Sequence, residues 1–154
     1  MTADQNLVTV QRTIAAPPDA IFALLVDPRR HREFDGSGAV RSPKGASTPL
    51  TLGSRFGMSM YAGVPYSMVS TVVEFELDRT IAWQTNGPTA FGKFVAGRIW
   101  RYRLEPVAGG TAVSETWDIS QESRLTKPII RGQGPQRAKD MAATLERIES
   151  IVTR

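Results

Sequence analysis

The sequence predicts an α+β fold, a curved antiparallel sheet of about six to seven strands wrapped around one long C-terminal helix, with two short helices after the first strand. Three observations predict it. Stretches of alternating apolar and polar residues run from Leu7 to Ser120, and short connections between them imply meandering antiparallel pairing. From Pro135 to Val152 the pattern changes: Ala138, Met141, Ala142, Leu145, Ile148 and Val152 recur at helical spacing, giving one amphipathic helix of about five turns. A sheet with one apolar face also needs a cover, and only this helix is long enough to supply it.

The elements follow in order. Leu7–Ile14 is a strand with Val8, Val10, Arg12 and Ile14 on one face. Ala15-Ala16-Pro17-Pro18-Asp19 ends it and begins a helix, with Pro18 suited to the first turn and Asp19 complementing the helix N-terminus. Ile21, Phe22, Leu24 and Leu25 are its apolar face, and Pro28 ends it or kinks it into a second short helix, PRRHREF. A turn cluster, Asp35-Gly36-Ser37-Gly38, leads to a short strand at 39–41 and a loop at 42–52. Residues 53–61 form a strand with Phe56, Met58 and Met60 on one face, and a turn at 62–65 follows. In the strand 66–77, Glu74 and Glu76 belong outside, so the odd positions Val69, Thr71, Val73, Phe75 and Leu77 are expected to face in. Ile81, Trp83 and Thr85 are the inner side of the next strand, which Asn86-Gly87-Pro88 breaks.

Residues 94–120 then read as two long strands joined at Gly109-Gly110, a pair that tolerates the positive φ of tight hairpin turns. A two-residue turn there sets Leu104 opposite Glu115, Tyr102 opposite Trp117, Trp100 opposite Ile119 and Arg101 opposite Asp118. One face is large and aromatic, the other charged. The apolar face also holds a carboxylate, Glu115, an odd residue to bury.

At 154 residues the chain is expected to be one domain, residues 1–154, long enough for a core without staples. It has no cysteine, so neither disulfides nor thiolate zinc sites arise, and a formal net charge of +4 only mildly favours anionic partners. The first ten residues lack the pattern of a signal peptide, and no apolar run approaches the ~20 residues of a membrane span. A soluble, cytoplasmic protein is the expectation. There is no internal repeat and no low-complexity tail.

Taken together, VTVQRTIAAPPDAIFALLVDPRRHREFDGSG, LGSRFGMSM, TVVEFELDRTIAW, GRIWRYRLEP, GGTAVSETWD and ATLERIESIV resemble the START-like (SRPBCC) superfamily, in that family's order and over nearly the whole chain. This is the helix-grip fold of birch-pollen-allergen-like proteins, START lipid-transfer domains and bacterial polyketide cyclases/dehydrases. The likeness is greatest to the bacterial polyketide cyclase/dehydrase and lipid-transport type. It implies a hydrophobic cavity between the sheet and the C-terminal helix, and it supplies no shared catalytic set.

The residues expected to face that cavity are Phe34, Phe56, Met58, Met60, Thr71, Val73 and Trp83, then Trp100, Tyr102, Glu115 and Trp117 on the hairpin, and Met141 and Leu145 on the helix. Glu115 and Tyr102 are the candidates for catalysis, a pocket carboxyl group and a hydroxyl able to handle protons. The alternative for Glu115 is a structural ion pair with Arg12 or Arg98, and the aromatic residues could simply fill a core. His31, beside Asp35 and Ser37, invites a triad reading, but its setting in a short helix and turn fits a solvated surface histidine better. One histidine and no cysteine leave no metal set, and RGQGPQR lacks the leading strand of a dinucleotide fingerprint. The basic residues Arg124, Lys127, Arg131, Arg137 and Lys139 read as a solvated face.

No cofactor, no metal, no nucleic acid and no integral membrane association are therefore expected, and the chain would act as a monomer or homodimer. Three functions follow: a carrier or sensor of a hydrophobic or aromatic small molecule or lipid; a cyclase, aromatase or dehydratase using a pocket acid/base; or a co-chaperone-like interaction module.

Overall fold

The structure, a computed structural model, describes residues 5–38, 40–44, 48–61, 63–86 and 97–154. The break expected at Gly87-Pro88, the first three residues of the stretch 94–120 and part of the loop expected at 42–52 lie outside them. The described residues form a seven-stranded antiparallel sheet in the order β1-β7-β6-β5-β4-β3-β2. The strands are β1 (Leu7–Ile14), β2 (Val40–Lys44), β3 (Arg55–Tyr61), β4 (Pro65–Glu76), β5 (Thr80–Asn86), β6 (Arg98–Val107) and β7 (Gly110–Asp118). From β2 to β7 the chain meanders, each strand beside the next. β1 pairs with the last strand, so the segment after it must cross from one sheet edge to the other.

Two short helices make that crossing, α1 (Pro18–Leu25) and α2 (His31–Phe34), with a 3-10 turn at Pro28–Arg30 between them. Pro17 and Pro18 set the start of α1, because a proline in the first helical turn forfeits no intrahelical hydrogen bond. Its buried residues are the expected Ile21, Phe22, Leu24 and Leu25. The connector after β7 is more ordered than its sequence suggests. It holds a short helix, α3 (Lys127–Arg131), before the long α4 (Gly134–Val152). Met141, Thr144, Leu145 and Ile148 are the large buried positions of α4, whereas Ala142, read as part of the apolar stripe, is exposed.

Two readings of the strands are corrected. The first concerns β4. Val72 pairs with Trp83 and Glu74 with Ala82, so Val73 is an extra residue, a β-bulge. Period-two alternation does not survive a bulge. After it Phe75 points inward, meeting Phe22 at a centroid distance of 5.6 Å. Before it the even residues Ser70 and Val72 are buried, Thr71 shows the other face, and Val73 is 38% exposed. Parity read backwards from Glu74 and Glu76 thus puts Thr71 and Val73 on the wrong side. Leu77 lies beyond the strand end and is exposed.

The second correction is the β6–β7 register. Val107 pairs with Gly110, so the loop is Ala108-Gly109, and every pairing shifts by two residues from the expectation. Trp100 stands opposite Trp117, Tyr102 opposite Glu115 and Leu104 opposite Val113. An even shift keeps each residue on its face and changes only its partner. Gly110 is not a turn residue; a Cβ there would lie 2.0 Å from the Ile14 carbonyl oxygen, so it is where the end of β1 closes against the start of β7. Arg101, displaced from Asp118 in the ladder, still reaches it diagonally at 3.5 Å and pairs with Glu74 at 2.5 Å, which fixes the charged outer face.

The turn after α2 is seated on α4. The Gly36 N–H donates to Thr144 Oγ1 at 2.8 Å, and Arg147 donates to the Asp35 carbonyl. A Cβ on Gly36 would lie 2.1 Å from the Asp140 carbonyl oxygen and 2.7 Å from the Thr144 nitrogen. These are backbone atoms that cannot swing away. We therefore expect Gly36→Ala to destabilise the fold by about 2–3 kcal/mol, the usual cost of overpacking. Urea unfolding checks this, and an unchanged midpoint would show that the turn is not held against α4.

Candidate functional site

A cavity of about 180 Å³ lies between the inner face of the sheet and the elements α2 and α4. Its apolar wall is Phe34, Val40, Phe56, Met58, Met60, Met68, Trp83, Trp100 and Met141, and its polar groups include Ser70, Thr85, Tyr102, Glu115, Asp35, Asp140, Arg98 and Arg137. Phe56, Met58 and Met60 arrive from β3 by strand alternation, as expected. Ser70 and Thr85 face each other across β4 and β5 and satisfy one another at 2.9 Å.

Of the residues expected at the wall, Phe34, Phe56, Met58, Met60, Trp83, Trp100, Tyr102, Glu115 and Met141 line the cavity. Thr71 and Val73 do not, because of the bulge. Trp117 and Leu145 face inward but stand behind the wall. Trp117 packs with Ile119, Ile130 and Met141, and Leu145 belongs to the main core with Ile148. Parity puts a residue on a face; whether it borders a space or a neighbour depends on what packs against that face.

His31 is the largest departure from the sequence reading. It is buried, not solvated. Its ring stacks on Trp83 at 5.0 Å and meets Phe34 and Phe56 edge-on, each at 5.4 Å. Nε2 lies 2.9 Å from the Leu25 carbonyl oxygen, so it must carry the proton and donate. Burial lowers its pKa from 6.5 to about 4, and the ring is neutral. Asp35 accepts from the Ser37 hydroxyl at 2.8 Å and the Val40 N–H at 3.0 Å. With His31 bonded to Leu25, the triad reading has no support. The sequence gives no warning of this, because Phe56 on β3 and Trp83 on β5 are far from His31 in the chain and meet α2 only once it has folded.

Glu115 answers the question the sequence left open. It is 3% exposed. Oε1 accepts a hydrogen bond from the Tyr102 hydroxyl at 2.8 Å, and Oε2 has no partner among the described residues. Neither arginine named as a possible partner reaches it. Arg12 binds Glu149 at 2.8 Å, and Arg98 binds the buried Glu122 at 3.0 Å. Burial pushes the Glu115 carboxyl group up from 4.5 to about 8; the Tyr102 hydrogen bond works against this, and the charges of Asp35 and Asp140 add to it. The Tyr102 hydroxyl, buried beside Glu115, is pushed well above 10. At neutral pH the site thus holds an uncharged carboxylic acid steadied by a phenol. No group of three or more His, Cys, Asp or Glu side chains able to hold a metal ion occurs among the described residues, and no described helix is long and apolar enough to cross a membrane.

With this geometry in view, comparison with known proteins places the chain. The family model described as polyketide cyclase / dehydrase and lipid transport matches residues 5–152. The chain belongs to this family. The START-like resemblance read from the sequence therefore holds, as does the helix-grip architecture. The uncharacterised protein Rv0088 of Mycobacterium tuberculosis is 30% identical over 147 residues, covering 92% of this chain and 62% of its own length. The chain thus spans about three-fifths of the length of the curated relatives it matches. The fold is shared with a crystal structure from Rhodobacter sphaeroides (TM-score 0.74, 13% identity, 99% of this chain and 95% of that one). It is also shared with protein MLL2253 of Mesorhizobium loti (TM-score 0.70, 18% identity, 96% and 97%).

Two buried titratable groups of this family member's cavity, Glu115 and His31, set opposite pH slopes. Between 4.5 and about 8 the folded chain holds the Glu115 proton that the unfolded chain has lost, so stability falls as pH rises. Between about 4 and 6.5 the unfolded chain holds a His31 proton that the folded one lacks, so stability is lost as pH falls. The slopes oppose one another from 4.5 to 6.5, and only that of Glu115 remains up to about 8. Glu115→Gln should remove the alkaline loss and be more stable than the parent by ~5 kcal/mol at about pH 9, with little difference at about pH 4. Urea titrations across pH check this; equal alkaline decline in both proteins would assign it to other groups.

Proposed function

We propose that this chain binds a compact hydrophobic or aromatic small molecule in the cavity between the sheet and the C-terminal helix. The observation that carries this reading is the cavity itself, a space of about 180 Å³ walled largely by aromatic and methionine side chains. Close packing is the rule in protein interiors, and an empty apolar volume costs stability. An apolar cavity of roughly 150 Å³ takes benzene, and pockets for drug-sized ligands run to roughly 300–1,000 Å³. The size therefore favours one ring with a small substituent over a long acyl chain. Met58, Met60, Met68 and Met141 add a wall that can adjust to shape. Family membership supports the reading in kind, since its description joins polyketide chemistry to lipid transport.

One observation favours a second reading, that the site also does acid/base chemistry. Glu115 is tied to neither Arg12 nor Arg98 and titrates close to neutrality, where a general acid or base works best. The co-chaperone-like reading is less favoured, because the outer sheet face carries the Glu74–Arg101–Asp118 ion pairs instead of an apolar surface.

Trp83 and Trp100 line the cavity and report on it. Toluene or naphthalene should change tryptophan fluorescence saturably, and palmitate should not compete. Ser70→Phe, which puts a ring into the space, should weaken toluene binding at least tenfold while unfolding remains cooperative. No saturable response to any aromatic probe would sink the proposal.

A further inference from the structure

We infer that the cavity selects a neutral molecule bearing a carbonyl group, whose oxygen accepts a hydrogen bond from the Glu115 carboxyl group on the side away from Tyr102. This rests on the cavity reading above and adds the chemistry of the ligand. Tyr102 already donates to Oε1, so the phenol is committed and the acid is held in one orientation. Oε2 is buried without a partner among the described residues, and Glu115 borders the cavity. A buried polar group left unpaired is costly, so a bound molecule that pairs it gains what an apolar molecule of the same shape cannot.

The surrounding charges decide which polar group fits. Arg98 is held by Glu122 at 3.0 Å and Arg137 by Asp140 at 3.1 Å, so the cavity's two arginines each already bind a carboxylate. Asp35 and Asp140 also border the cavity, so a carboxylate ligand would enter beside acids and compete with Glu122 and Asp140 for Arg98 and Arg137, of which the buried Arg137 Nε lacks a partner among the described residues. The protonated carboxyl group offers an O–H donor, and a carbonyl oxygen is the neutral acceptor that completes it.

The pH dependence follows from the same geometry. The groups facing Glu115 are Tyr102 on β6, Asp35 in the turn after α2 and Asp140 on α4, with Arg98, Arg137 and His31 elsewhere on the wall. His31 titrates near 4 and Tyr102 well above 10, and Glu115 near 8. Loss of the Glu115 proton removes the donor and sets a negative charge against the carbonyl oxygen.

Acetophenone, ethylbenzene and benzylamine test this, with tryptophan fluorescence and ligand-observed NMR as readouts. Acetophenone should bind about tenfold more tightly than ethylbenzene at about pH 6. Its affinity should fall about tenfold by about pH 9, the protonated fraction of a group titrating near 8, while that of ethylbenzene stays level. Glu115→Gln keeps a donor that cannot ionise, so acetophenone binding should persist and lose its pH dependence. Glu115→Leu should erase the preference for acetophenone. Equal binding of acetophenone and ethylbenzene to the parent protein would overturn the inference and leave the cavity reading standing. Benzylamine binding more tightly than acetophenone, or acetophenone affinity rising with pH, would likewise overturn it. Failure of all three probes to bind would overturn the cavity reading itself, and the inference with it.

Discussion

The double pairing of β7, with β6 on one side and β1 on the other, is the constraint from which the cavity's chemistry follows. β7 carries Val113, Glu115 and Trp117 on its inner face. Val113 belongs to the main core, and Trp117 to a second cluster with Ile119, Ile130 and Met141. Glu115 lies between two packed regions, with Tyr102 directly across the ladder. A slip of two residues would leave all three side chains inside and still separate the acid from the phenol. Gly110 serves the other pairing, that of β7 with β1, where the Ile14 carbonyl leaves no room for a Cβ.

Around that hairpin the molecule separates two kinds of charge. On the outer face Arg101 joins Glu74, which is partly open to water, and the buried Asp118; an ion pair that stays in contact with water contributes modestly. Inside, Glu122 is fully enclosed and takes Arg98, while Glu115 takes no cation among the described residues. An enclosed ionised carboxylate without a cation is expensive, and the system responds by keeping the proton. The same response explains His31, which sits among Trp83, Phe34 and Phe56 and stays neutral. Two ionisable residues are thereby made uncharged by their surroundings, one as a packing element and one as a hydrogen-bond donor. An interior that holds an unfilled space and an unpaired oxygen is less stable than it could be, which is the usual relation between a binding site and the core around it.

Much of this was legible in the residues. β1 was read to the residue, α4 within one residue of its start, and the strands β3 to β7 in their order and, apart from β4, their inner faces. Nine of the cavity-wall side chains followed from that alternation together with the family resemblance. The failures have physical causes. The β4 bulge at Val73 is a property of the β4–β5 ladder, and no local signal in YSMVSTVVEFEL marks it. His31 was read as surface because its short helix is polar on either side, and its burial depends on rings contributed by β3 and β5. Ser70, Met68, Arg98, Arg137 and Asp140 were missed as wall residues because facing a space is a property of several elements at once.

By itself the sequence determined the fold class, the division of the hairpin into a charged and an apolar side, and the presence of one carboxyl group on the apolar side. These are local facts, set by side-chain period and turn chemistry along a few residues of chain. Only the tertiary structure decided that Arg12 goes to Glu149, that Arg98 goes to Glu122, and that Glu115 is left to Tyr102. Those choices join residues from 13 to 137 positions apart, and they depend on register, on a bulge and on where α4 lies across the sheet. Charge pairing in a closed interior is a competition among all the groups that reach it, so its outcome is settled only when the whole chain has folded.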